Sequence, residues 1–455
     1  MGLGTATSGK GLSALQVAAA LGAVGAAQVE RAGGASATMR RTNSDIGAYS
    51  KTIRPEDCRK TLELTVSAPG EGSCTTEVHV TEYAPDVFSF LRRVEGVSEE
   101  KFADEWSLPE ERLKMELGDG RSQALFLKSK TMAFMCKTVA EDEVHVLLQV
   151  LQTYALHIAA NPSSLLMRFY LLMRVAVRKE VGYILCFNDV FGSASVLHEK
   201  WDIKGRVPKP GKYLYFPHLI RRAYEPDPYL IETPHCSDVI VATTDGRDGE
   251  RAEVKNDTVV LKGTNDTVQL STLHDKDLTR LFWLPHGVRK RLLQQLFSDY
   301  RFLMRAGLMD YSLLIGVAYN ENKTSRSGKK YVIENMKMSS PPGGRNRSPQ
   351  VECRPSSPEV LKRNRLNGAP ASAADNLSEF ARGVHSLYDQ EIYYVGIIDM
   401  LTAYTVKKKA ANFFKSFLWK QETLSTIPPK EYGARIRSFT ELIFPEVVNS
   451  VASTK

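Results

Sequence analysis

Three charged residues end otherwise apolar runs, and their types could perform phosphoryl transfer. Lys137 closes Ala133-Phe134-Met135-Cys136, Asp310 opens Tyr311 to Val317, and Asp399 ends Tyr394-Val395-Gly396-Ile397-Ile398. Taking a lone charge out of water costs several kcal/mol unless something compensates it, so a Lys and two Asp at strand ends need a partner or a task. Lys137 suits a point charge on phosphate oxygens. One carboxylate could hold Mg²⁺, and the other could orient or deprotonate an attacking hydroxyl. Upstream, Gly118-Asp119-Gly120-Arg121-Ser122 could form a turn whose backbone amides approach phosphate. A buried Lys–Asp ion pair with a strand-end cap fits the same residues without any catalysis.

The elements that must position these groups read as a mixed α/β pattern. Ala124 to Phe126 and Ala133 to Lys137 are expected as strands flanking the turn Lys128-Ser129-Lys130-Thr131. Glu141 to Ala159 is expected as a helix, from Val144, Leu147, Leu148, Leu151, Ala155 and Ile158 at i, i+3, i+4 spacing. Val181 to Phe187 reads as a buried strand. Val288 to Ala306 reads as a second helix, with Leu292, Leu296, Tyr300 and Leu303 on one face. Ser312 to Ala318 and Tyr393 to Ile398 are almost uninterrupted apolar runs, as in strands covered on both faces.

Composition sets the outer bounds. The 455 residues carry 60 Lys and Arg against 52 Asp and Glu, a net charge of +8, with 43% hydrophobic and 25% charged residues. That balance excludes a wholly disordered chain, a collagen-like repeat and a small disulfide scaffold. The six cysteines contain no CxxC pair, which speaks against a zinc site and for a reducing compartment. Cys136 and Cys186, inside apolar runs, read as core thiols. Residues 1–77 are expected to be a disordered tail. Gly11 to Ala27 is dominated by Ala and Gly, too short and weakly apolar for a membrane span and a poor match to a secretory signal. Met1-Gly2 is followed by Ala6, not the Ser or Thr of a myristoylation signal. About 321–376 reads as a disordered basic insertion: from Lys323 to Leu366 it holds eleven Lys or Arg against three Glu, in a Pro- and Ser-rich context. Such a loop suits either anionic lipid or plain solvent.

The segments around the three charged residues resemble those of phosphatidylinositol phosphate kinases. Met309-Asp310-Tyr311-Ser312-Leu313-Leu314 resembles that family's MDYSLL signature, and Tyr393 to Asp399 its YYxGIID segment. Trp201-Asp202-Ile203-Lys204-Gly205 is similar to its DLKG segment, and Phe134 to Thr138 to its ATP-lysine strand. Asn161-Pro162-Ser163-Ser164-Leu165-Leu166 and Tyr83-Ala84-Pro85 also match. The segments follow family order over about 81–444.

The resemblance implies an α+β, two-lobed lipid-kinase fold with an antiparallel-sheet N-lobe (about 78–187) and a mixed α/β C-lobe (about 188–446), then a short tail at 447–455. It implies an ATP- and Mg²⁺-dependent kinase that phosphorylates a phosphatidylinositol monophosphate, most simply phosphatidylinositol 4-phosphate, to give the 4,5-bisphosphate. Lys137 becomes the ATP-phosphate lysine, Asp399 the Mg²⁺ ligand and Asp310 the carboxylate facing the lipid hydroxyl. Lys204, Gly120 and Ser122 are expected at the nucleotide, and Glu143, by spacing, beside Lys137. Lys407, Lys408 and Lys409 match the lysine cluster of the lipid-reading loop and are expected on anionic membrane lipid. Phe413, Phe414, Phe417, Leu418 and Trp419 could insert beside them. The expected location is the cytosolic face of a membrane, as a peripheral protein. No nucleic-acid partner is expected, and a homodimer is compatible with the reading.

Three departures from the family pattern bear on activity. Gln123 stands where the glycine loop has its second Gly, which costs close approach to phosphate. Arg206 replaces the Ser after the DLKG-like segment. Ala411 stands where kinases acting on the 4-phosphate lipid have Glu and those acting on the 5-phosphate lipid have Ala. The competing expectations are therefore a phosphatidylinositol 5-phosphate 4-kinase and a membrane-binding pseudokinase. A protein kinase is disfavoured, because neither an HRD-type loop nor a DFG is present.

Overall fold

The computed structural model describes residues 12–35, 53–69, 75–109, 112–113, 115–117, 124–194, 196–206, 260–261, 272–278, 280–319, 380, 382–387, 389–404 and 427–446. Two sheets dominate. The first has seven strands, all paired antiparallel: β1 (Thr61–Pro69), β2 (Thr75–Tyr83), β3 (Glu116–Leu117), β4 (Leu125–Lys128), β5 (Phe134–Val139), β6 (Phe169–Val177) and β7 (Glu180–Asn188), in the order β1-β2-β6-β7-β5-β4-β3. After β8 (Val196–Leu197), the second sheet takes in β9 (Glu199–Ile203); a short β10 (Val260–Leu261) pairs with β8. Its other strands are β11 (Thr272–His274), β12 (Ser312–Tyr319), β13 (Val384–His385) and β14 (Glu391–Ile398), in the order β11-β9-β12-β14-β13. It is mixed, because β11 runs parallel to β9 while the other pairs are antiparallel.

Among the described residues six helices pack on these sheets: α1 (Ala14–Ala35), α2 (Pro85–Val94), α3 (Glu99–Glu105), α4 (Glu141–Ala160), α5 (His286–Arg305) and α6 (Pro429–Ile443). Helices α4 and α5 and strands β4, β5, β7, β12 and β14 fall within a few residues of the sequence expectation, whereas β6, β8 to β11 and β13 have no counterpart in it. The apolar face of α4 (Val144, Leu147, Leu151, Ala155, Ile158) joins that of α5 (Leu292, Leu296, Tyr300, Leu303) in one large core, with Trp201, Leu313, Ile315, Val395 and Ile397 from the second sheet. Cys136 and Cys186 face each other across β5 and β7, buried and unbonded, and burial pushes the Cys186 thiol up.

The N-terminal stretch departs from expectation. Part of the supposed disordered tail, residues 14–35, is a helix, and the sheet begins at Thr61, not near residue 78. Val17, Ala20, Leu21 and Val24 of α1 are buried in a second core on the first sheet, beside Val78, Val80, Phe102 and Trp106. The small residues that made this stretch look weak permit the packing. A Cβ on Gly25 would lie 3.0 Å from the backbone and side chain of Ala103 on α3, so the helices meet at close range. Glu82 of β2, fully buried, accepts hydrogen bonds from Gln28 Nε2 at 2.7 Å and Arg31 Nη2 at 2.8 Å. Among the described residues no helix is long and apolar enough to cross a membrane. Residues 1–11 and 36–52, most of 207–271, the insertion at 321–376 and the tail 447–455 lie outside the described residues.

Candidate active site

Strands β12 and β14 are neighbours, with Ser312 opposite Ile398, so the residues that flank this end of the pair come together. They are Asp310, two residues before Ser312, and Asp399, directly after Ile398. Both adopt the left-handed conformation, at φ +60° and +55°. Asp tolerates that region better than most side chains, yet it still costs energy, and such positions concentrate where geometry serves function. Backbone bonds lock the two turns to each other: Leu308 bridges Ala403, and the Met309 N–H donates to Thr402 O at 2.9 Å. Below Asp310, Tyr311 is wedged between Tyr300 of α5, stacked at 5.9 Å, and Tyr432 of α6, whose hydroxyl donates to the Tyr311 carbonyl.

Lys137 comes from the first sheet. It sits on β5 opposite Leu185, and its side chain is 11% exposed. Its Nζ lies 3.3 Å from Asp399 Oδ1 and 4.0 Å from Glu143 Oε1. Glu143 holds its place in the first turn of α4 by accepting from the Ala140 N–H through Oε2 at 2.9 Å. The Glu143 pairing expected from spacing is thus present at the outer limit of an ion pair. Asp399 is the nearer partner and remains half exposed.

Lys204 follows β9. Its Nζ donates to the Asp310 carbonyl at 2.7 Å and to Asp310 Oδ1 at 3.2 Å, which compensates the Asp310 charge. The next residue, Gly205, has φ +67°, and a Cβ there would stand 3.1 Å from Phe439 Cβ and 3.3 Å from Ile436 Cα on α6. Only glycine fits both the backbone conformation and that approach.

One residue that positions Lys204 was missed in the sequence. Asp275, after β11, is buried and accepts from the Lys204 N–H at 3.1 Å and the Gly205 N–H at 2.7 Å, with Arg206 at 3.9 Å. Burial raises its carboxyl to about 6, against the pull of Arg206 and the Gly205 hydrogen bond. Arg206, noted as a departure, therefore has a local electrostatic partner. Asp275 lies in the weakly patterned run Leu273-His274-Asp275-Lys276-Asp277, where no periodicity singles it out.

The structure thus brings Lys137, Glu143 and Asp399 into one cluster and Lys204 with Asp310 into an adjoining one. Gly120, Ser122 and Gln123 lie outside the described residues, as do Lys407, Lys408, Lys409 and Ala411 and the apolar residues that follow them. Among the described residues no three His, Cys, Asp or Glu side chains form a closed metal cage. Mg²⁺ does not need one, since it is held through one or two carboxylates plus substrate phosphates and waters. The half-exposed Asp399 and the partly exposed Asp310 fit that description.

Comparison with known proteins identifies the family. A family model described as Phosphatidylinositol-4-phosphate 5-Kinase matches residues 108–443, which include Lys137, Glu143, Lys204, Asp310 and Asp399. The chain is 25% identical over 434 residues to a probable phosphatidylinositol phosphate kinase of Dictyostelium discoideum, covering 87% of this chain and 53% of that one. It is 24% identical to phosphatidylinositol 5-phosphate 4-kinase type-2 gamma of Danio rerio (86% and 84% covered) and 26% identical to phosphatidylinositol 4-phosphate 5-kinase 1 of Arabidopsis thaliana (83% and 47%). The chain spans about half the length of the first and third of these relatives. Because the match takes in well over half of the sequence and every described charged residue of the cleft, the chain belongs to the phosphatidylinositol-4-phosphate 5-kinase family.

Proposed function

We propose that this chain is an ATP- and Mg²⁺-dependent phosphatidylinositol monophosphate kinase acting at a membrane surface. Its acceptor is phosphatidylinositol 4-phosphate and its product the 4,5-bisphosphate. The observation that carries the reading is the placement of Lys137 between Glu143 and Asp399, with Asp310 at the same end of the neighbouring strand. The seven-stranded sheet then acts as the N-lobe and the five-stranded sheet as the C-lobe, with the nucleotide between them.

In this mechanism Lys137 leaves Asp399 for phosphate oxygens when ATP binds, and Glu143 keeps its ammonium oriented. Asp399 would hold Mg²⁺, which would supply charge neutralisation at the transferring phosphoryl group. Asp310 accepts the proton of the lipid hydroxyl as the new oxygen–phosphorus bond forms and the bond to the ADP oxygen breaks. Lys204, beside Asp310, is placed to meet the phosphate charge that develops there. Lys407, Lys408 and Lys409 would hold the anionic headgroup and bilayer, each contributing about 1 kcal/mol near such a surface.

A second reading, the 5-phosphate 4-kinase, is favoured by Ala411 and by the similarity to the Danio rerio relative. Incubation with ATP, Mg²⁺ and liposomes holding either the 4-phosphate or the 5-phosphate lipid separates them. Bisphosphate from the first lipid alone supports the proposal, and from the second alone replaces it with the 4-kinase. Liposome binding without product from either would make the chain a pseudokinase.

A further inference from the structure

Asp299 on α5, like Glu82 on β2, is a fully buried carboxylate outside the cleft, with a side chain that is 0% exposed. Such a group is stabilised only if its oxygens are filled, and they are. Oδ1 accepts from Ser164 Oγ at 2.8 Å and Gln295 Nε2 at 3.1 Å and lies 2.8 Å from His157 Nε2. Oδ2 accepts from the Leu165 N–H at 2.7 Å. His157 Nδ1 faces Asn161 Nδ2, an amide donor, at 3.4 Å, an arrangement that suits Nδ1 as acceptor and Nε2 as the donor to Asp299. Phe302 stacks on that ring at 4.5 Å.

The donors come from segments that lead to the cleft. His157 is on α4, the helix whose first turn carries Glu143. Leu165 is on the connection into β6, and its carbonyl accepts from the Ile397 N–H at 2.7 Å while the Met167 N–H donates to Ile397 O at 2.9 Å. Ile397 stands two residues before Asp399. One buried carboxylate therefore hydrogen-bonds both to α4, which carries Glu143 in its first turn, and to the Leu165 segment that pairs with Ile397, two residues before Asp399. A hydrophobic residue of similar volume could supply as much stability, but not this register.

We propose that Asp299, with His157 as its donor partner, is a positioning residue for phosphoryl transfer, setting the spacing of Glu143 and Asp399 around Lys137. This rests on the kinase reading above. Groups that orient a metal ligand without touching the metal typically cost about 10–100-fold in affinity or activity when removed.

The test uses His157→Phe, which keeps the stack on Phe302 but removes the donor, His157→Gln, which restores an Nε donor, and Ser164→Ala, which weakens the arm toward Asp399. Turnover, KM for ATP and for lipid, the Mg²⁺ concentration for half-maximal rate and Tm are measured for each full-length variant. His157→Phe and Ser164→Ala are expected to lower kcat by about tenfold or more and raise the Mg²⁺ requirement severalfold. KM for lipid should stay unchanged, and His157→Gln should recover most of the loss. A fall in Tm with wild-type kcat and Mg²⁺ dependence in both loss variants would overturn the proposal and leave Asp299 a structural residue. If the wild-type chain phosphorylates neither lipid, the kinase reading fails separately. The positioning claim is then read from binding of a fluorescent ATP analogue at varied Mg²⁺: it survives if His157→Phe weakens the Mg²⁺-dependent part and His157→Gln restores it, and falls if neither changes it.

Discussion

Lys137 and Asp399 stand 262 positions apart in the chain, and their side chains meet with Nζ 3.3 Å from Oδ1 at the junction of the two sheets. The pair compensates both charges. On the proposed kinase reading the same groups would meet phosphate and metal, so a contact that looks structural would also be a poised one. The lysine is far more buried than the carboxylate, at 11% against 50% exposure, which leaves Asp399 the more open to an incoming cation.

Asp310 separates chemistry from binding. Asp310→Asn keeps the size and the backbone bond from Lys204 but removes the proton acceptor. The kinase reading predicts a loss in kcat of about 10²–10⁴-fold with KM for ATP within a few-fold of wild type. Steady-state kinetics on liposomes check this, and an unchanged kcat would remove Asp310 from the chemistry.

Gly205→Ala is predicted to destabilise the protein by about 1–3 kcal/mol and to lower turnover. It forces a side chain into a φ of +67° against Phe439 and Ile436, and displaces the Lys204 backbone with it. Denaturant unfolding measures the first effect, and wild-type stability would show that α6 can yield there.

Asp275 gives a pH dependence with a definite sign. Its carboxyl, held up at about 6 by burial, keeps its proton in the folded protein to higher pH than in the unfolded chain, where Asp titrates near pH 4. Its contribution therefore favours folding most below about pH 4 and is lost as pH rises through about 6, by up to ~3 kcal/mol. Asp275→Asn cannot titrate, so the Tm of wild type minus that of the variant should fall between pH 4.5 and 6.5. A flat difference would contradict the raised value.

The packing of α1 is tested by Leu21→Ala. Leu21 is 1% exposed, so truncation should cost about 2–5 kcal/mol in denaturant unfolding. No change would return this segment to the status of a loose tail.

Much of the site was legible because Lys137, Asp310 and Asp399 interrupt apolar runs, and a charge at the end of a covered strand is conspicuous. The residues that aim them were harder to see. Asp299 lies three residues after Leu296 on the core face of α5, a signal that was present but sits beside Ser298 and Arg301, as on an ordinary solvated helix. Asp275 is buried by tertiary contacts with Gly205 and Arg206, seventy residues away, which no local pattern records. The α1 helix was hidden for another reason. Hydrophobic periodicity weighs large side chains, whereas α1 packs through Ala20, Val24 and Gly25, where close backbone approach substitutes for bulk.

The most direct test of the central claim is transfer of labelled γ-phosphate from ATP to liposomes holding phosphatidylinositol monophosphate, comparing wild type with Lys137→Met and Asp399→Asn. The account predicts bisphosphate formation by the wild type and a loss of about 10²–10³-fold or more in each variant, with Tm and liposome binding retained. Turnover at wild-type rates in both folded variants would contradict it, and would leave the Lys137–Asp399 contact as a structural ion pair.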